Sequence, residues 1–71
     1  MSHDESLWRV IHIAHSAASA ERAQRLLSAE GFLARVRPAM RASARSEGLY
    51  ELIVLESEAT EARALLMENG F

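Results

Sequence analysis

The chain has no cysteine and no lysine, one proline, one aspartate and one tryptophan among its 71 residues. Each scarcity excludes something. Without cysteine there is no disulfide and no thiolate zinc site. Without lysine there is no Schiff base, so pyridoxal-phosphate chemistry and a phosphate-loop lysine are both ruled out within these residues. No apolar run approaches the roughly 18 residues that a membrane-spanning helix needs. The first residues, Met-Ser-His-Asp-Glu-Ser, are acidic and polar, unlike a secretory signal, and the expected compartment is cytoplasmic. Only four residues are proline or glycine and 49% are hydrophobic, a composition of folded rather than disordered chains.

What is present is a small domain with every positive charge on arginine. The net charge of −2 argues against a general nucleic-acid coat. A chain of this size buries only about 60% of its unfolded surface. Small domains commonly add a disulfide, a metal or self-association. With cysteine absent, self-association is the expected supplement.

The sequence also repeats itself. Residues 20–32 read Ala-Glu-Arg-Ala-Gln-Arg-Leu-Leu-Ser-Ala-Glu-Gly-Phe, and residues 59–71 read Ala-Thr-Glu-Ala-Arg-Ala-Leu-Leu-Met-Glu-Asn-Gly-Phe. In both copies alanine and leucine fall on one helical stripe: Ala20, Ala23, Leu26 and Leu27, then Ala59, Ala62, Leu65 and Leu66. Both end at glycine, Gly31 and Gly70, in the place a left-handed residue closes a helix. Ser16 or Ser19 is expected to cap the first helix and Ser57 the second. Glu21 and Arg25 form a favourable pair one turn apart.

Around the helices lie strand-like segments. Leu7–Ala14 is rich in β-branched and aromatic residues, with faces Leu7, Arg9, Ile11, Ile13 and Trp8, Val10, His12, Ala14. Neither face is cleanly polar, which predicts a central strand covered on both sides, at least in part. Phe32–Pro38 alternates, with Phe32, Ala34 and Val36 on one face and Leu33, Arg35 and Arg37 on the other. Leu49–Glu56 is the third strand. Residues 1–6 are expected to be a flexible lead-in, and 7–71 a single domain. The order β-α-β-β-α, with right-handed crossovers, predicts an α+β fold: a ferredoxin-like sandwich lacking its fourth strand. Both helices would cover one face of an antiparallel sheet. The other face would carry exposed apolar residues, which usually marks an interface.

Chemistry-bearing residues are few. Arg35, Arg37, Arg41 and Arg45 form a run of positive charge without an acid between Arg35 and Ser46. Guanidinium groups suit phosphate or carboxylate contact, and the alternative is a solvated polar face and loop tip. No aromatic series accompanies them for base stacking, so nucleic acid is not expected. His15 and Ser16 stand where a strand turns into a helix, and helix N–H groups can hold an anion there. His12 and His15 point to opposite faces of a strand and converge poorly on a metal. The serines have adequate roles as caps or exposed helix positions, and Asp4 lies in the lead-in, so no catalytic triad stands out. No cofactor, metal or enzymatic activity is expected. Trp8, Tyr50 and Phe71 are candidate interface residues.

Trp-Arg-Val-Ile-His-Ile-Ala, the helix ending Leu-Leu-Ser-Ala-Glu-Gly-Phe, Ala-Arg-Val-Arg-Pro and Tyr-Glu-Leu-Ile-Val-Leu-Glu together resemble a family of small prokaryotic signal-transducing domains, similar in fold to the nitrogen-regulatory PII proteins. The resemblance covers about residues 7–71. It implies a ferredoxin-like fold, a homo-oligomer (dimer or trimer) and a sensing or adaptor role. It also implies partner contact through the loop 38–48, which is shorter than a full PII loop. The sequence thus predicts a non-enzymatic regulatory or adaptor domain that self-associates and meets an anionic ligand or protein partner through that loop. The alternative is a sensor of a nucleotide or other anionic metabolite.

Overall fold

A computed structural model describes residues 7–39 and 48–71. The first strand, β1, is Trp8–Ala14, followed by helix α1 over Ala17–Ala29. Strand β2 is Ala34–Pro38 and β3 is Tyr50–Leu55. A 3-10 turn, Glu56–Glu58, leads into helix α2, Ala59–Glu68. The three strands form one antiparallel sheet in the order β1-β3-β2. This is the β-α-β-β-α layout of a ferredoxin-like sandwich, with both helices on one face.

The helices form where the alanine-leucine stripe recurs. Ala23 and Leu27 of α1 and Ala59, Ala62 and Leu66 of α2 are buried in one cluster with Ile11, Ala34, Leu52 and Val54 of the sheet, and Ala20 is buried as well. Ser16 caps α1: its backbone is extended, with φ −156° and ψ 157°, and its Oγ accepts the Ser19 N–H at 3.1 Å. Ser16→Ala should therefore lower stability by about 1 kcal/mol, read as a shift of the denaturant midpoint with an unchanged slope. Both helices close alike. Gly31 and Gly70 have φ of 95° and 88°, the left-handed region that glycine occupies without strain. Phe32 N–H bonds to the Leu27 carbonyl at 3.0 Å, and Phe71 N–H bonds to the Leu66 carbonyl at 2.9 Å. The sequence repeat is thus a structural repeat, down to the hydrogen bonds that end each helix.

Three expectations need correction. Ser57 does not cap α2. It lies inside the 3-10 turn, and extended backbone ends earlier, at Leu55 (φ −62°, ψ 142°), whose side chain cannot accept a hydrogen bond. The cap position of α2 falls to Glu58, which makes no side-chain capping bond. Second, β1 is an edge strand among the described residues, not a central one, because β3 takes the middle. Third, β1 does not alternate cleanly. Its register against β3 shifts between Val10 and His12, a bulge centred on Ile11. Ahead of the bulge Arg9 lies opposite Val54, and beyond it His12 lies opposite Leu52. Arg9, Ile11, His12 and Ala14 therefore face the helices, while Trp8, Val10 and Ile13 face away.

Of the thirteen buried apolar residues among those described, seven are alanine. Small side chains let the helices lie close to the sheet, but they bury little area each. Larger apolar groups, Trp8, Val10, Ile13, Leu33 and Leu55, are placed on the sheet face that the helices leave open.

Candidate functional site: the helix-free sheet face

Strand register decides what the open face contains. On β1 it presents Trp8, Val10 and Ile13, on β3 Glu51, Ile53 and Leu55, and on β2 Arg35 and Arg37. Ile53 is the centre: Val10 and Arg35 flank it on its two neighbours, and it is only 5% exposed. Arg35 reaches from β2 across β3 to β1, and its guanidinium carbon sits 5.2 Å from the centroid of the Trp8 ring. The stem of Arg35 covers the β3 aliphatics while its head stacks on the indole. Beside this strap, Arg37 Nε donates to Glu51 Oε1 at 2.8 Å. Leu33, 55% exposed, follows the same alternation before β2 begins. A groove of about 390 Å³ lined by Leu7, Leu55, Glu56 and Ser57 continues the face at the Trp8 end.

The remaining predicted site residues scatter. Tyr50 lies opposite Ala14 and Pro38, on the helix side of the sheet, and does not share a face with Trp8. Phe71 packs against the core on the helix side, its ring 5.9 Å from His12 edge-to-face and 5.4 Å from the Arg22 guanidinium. His15 and Ser16 sit together at the start of α1, but Ser16 Oγ is already engaged by Ser19. An anion there would have to displace that capping bond. Arg41 and Arg45, and with them most of the loop 38–48, lie outside the described residues. Among those described, Arg37 is committed to Glu51 and Arg35 to Trp8.

No group of three His, Cys, Asp or Glu side chains among the described residues converges in a way that could hold a metal. No helix among them is long and apolar enough to cross a membrane. His12 is half-buried, and its pKa is held below the usual imidazole value, first by burial and then by repulsion from His15. The unfolded chain therefore takes up a proton more readily than the folded one. The stabilising contribution is complete above the unfolded pKa near 6.5 and is lost as pH falls from there toward the lower folded value. His12→Gln should flatten that part of a melting-temperature profile. A profile equally steep in the variant would assign the pH dependence to other groups.

Sequence reasoning missed the Trp8–Arg35 strap because the two residues come from strands that are not neighbours. It also missed a polar cleft of about 270 Å³ between β1 and α2, lined by Arg9, Glu56, Ala59, Thr60 and Arg63. Arg9 Nη2 lies 2.6 Å from Glu56 Oε2 in this cleft. No protein-family model, curated protein or solved structure matches the chain.

Proposed function

We propose that this is a non-enzymatic regulatory or adaptor domain that self-associates through the helix-free sheet face. The observation that carries the reading is how the side chains are divided. Alanines fill much of the space under the helices, and larger, part-buried apolar groups, Trp8, Val10, Ile13 and Leu55, surround the buried Ile53 on the sheet side that the helices leave open. A face that apolar is an aggregation hazard in a free monomer, and a second copy is the one partner always present in proportion. Trp8 and Arg35, which meet across the central strand of this face, are residue types that dominate binding energy in interfaces.

The face is modest in size. Three strands about 4.8 Å apart and about 17–23 Å long present roughly 300 Å² in plan, against about 800 Å² of accessible surface per partner in a standard interface. Side-chain relief and the rim at Leu7 and Leu33 enlarge it, so association in the micromolar range is expected. Contact with an anionic ligand or partner through the basic loop 38–48 completes the proposal. Its support is the uninterrupted positive charge of Arg35, Arg37, Arg41 and Arg45 in the sequence. The resemblance to PII-like signalling domains supports the same role.

Sedimentation velocity and light scattering from micromolar to millimolar protein test the assembly. Trp8, the only tryptophan, reports on it directly. Its emission should move to shorter wavelength as association excludes water. A strict monomer across that range sinks the proposal.

A further inference from the structure

The two edges of the sheet differ in kind. β2 is five residues long, carries Arg35 and Arg37, and ends on Pro38, which has no N–H to offer. Charge and proline are the usual means of blunting an edge. β1 is seven residues long, has no proline and carries a single formal charge at Arg9. Its one irregularity is the bulge at Ile11, which leaves Trp8–Val10 and His12–Ala14 as regular stretches on either side.

The structural repeat says which position beside β1 corresponds to β2. After Gly31 and Phe32 the chain enters β2, antiparallel to β3. Gly70 and Phe71 end α2 in the same way, and Phe71 stands against His12 of β1. The counterpart of β2, on the second half of the repeat, is the outer flank of β1. At the Trp8 end of this flank is the cleft of about 270 Å³ where Arg9 and Arg63 meet Thr60. Arg9 is held by Glu56, whereas Arg63 has no acidic partner within ion-pair distance among the described residues. Beyond it along α2, Met67 is 69% exposed.

We propose that the outer edge of β1, together with the Arg9–Arg63 cleft, is a docking site for an extended acidic peptide segment of a partner protein. The segment adds a strand antiparallel to β1. Main-chain N–H and C=O groups supply affinity that does not depend on sequence, and alternate side chains supply selectivity. An antiparallel strand enters beside Ala14 and leaves beside Trp8. A carboxylate near the segment's C-terminal end, on the helix side, therefore meets Arg63 and can share Arg9 with Glu56. The charges choose the partner: a basic segment would bring like charge onto two guanidinium groups. This surface lies on the helix side and at the edge, whereas the face proposed for self-association is the opposite side of the sheet, and Glu56 borders the clefts at both. The two can fail independently.

A displayed random-peptide library selected against the full chain tests it. Alternating β-formers with Asp or Glu near the C-terminal end should be enriched. Their binding should slow amide exchange within Trp8–Ala14. Arg63→Glu, at an exposed helix position, should weaken them by about tenfold or more while leaving the sedimentation profile unchanged. Three results overturn the proposal. One is no enrichment. Another is enriched peptides without an acid, bound equally by Arg63→Glu. The third is protection of Trp8–Ala14 that grows with protein concentration without peptide and persists in Val10→Glu, which blocks the open face; that assigns the edge to a second copy.

Discussion

Leu27→Ala should come close to unfolding the domain. Leu27 is 0% exposed and, with Leu52, Leu66 and Val54, is among the largest fully buried side chains of the described residues. Removing a leucine from such a position costs about 3–5 kcal/mol, the transfer term plus the cavity left behind. The upper half of that range applies here, because Ala23 and Ala34, buried in the same cluster, have no side-chain atoms to move into the gap. A domain of this length has roughly 4–10 kcal/mol of stability in all. The loss would lower the melting temperature by roughly 16–40 °C. Leu66→Ala, at the repeat-related position, should cost about as much, to within about 1 kcal/mol. Met67→Ala, one residue on but 69% exposed, should cost no more than about 0.5 kcal/mol. Thermal melts of the three variants at one fixed protein concentration decide the matter, since self-association makes stability concentration-dependent. A Leu27→Ala melting temperature within a few degrees of the parent would show that the core relaxes where these alanines predict it does not.

The helices were legible because periodicity and end signals agree twice over. Ala20, Ala23 and Leu27 recur as Ala59, Ala62 and Leu66, and each stripe stops at a glycine whose positive φ the structure shows. A serine at the α2 entry misled because capping depends on backbone shape as well as residue type. Ser16 is extended and caps, while Ser57 lies in a 3-10 turn and cannot. The faces of β1 were not legible. A bulge adds one residue to one strand, and no residue type in Val10-Ile11-His12 announces it. That one shift moves His12 to the helix side and Ile13 to the open face. Strand order carried the remaining information: Arg35 and Trp8 meet only because β3 runs between their strands, and Arg9 and Arg63 line one cleft only because α2 returns over β1.

Val10→Glu should abolish self-association and leave the fold intact. Val10 is half-buried on the open face, directly opposite Ile53, and Arg35 flanks Ile53 from the other side. In a monomer the new carboxylate keeps contact with water and gains a cation nearby, so little stability is lost. In an assembly that covers the face, the same carboxylate must be buried with incomplete pairing. Even a compensated polar group costs about 2 kcal/mol there, and a charge costs more. A symmetric assembly carries the substitution on every copy. Two copies make the penalty at least about 4 kcal/mol, or roughly a thousandfold in the association constant. Micromolar association becomes millimolar, so the variant should sediment as a monomer at micromolar concentrations, where the parent associates. Trp8 emission should then stay constant on dilution, whereas the parent should shift. If Val10→Glu associates as tightly as the parent, the open face is not what holds the copies together. The Arg35 strap over Ile53 would then be a cover the monomer makes for itself.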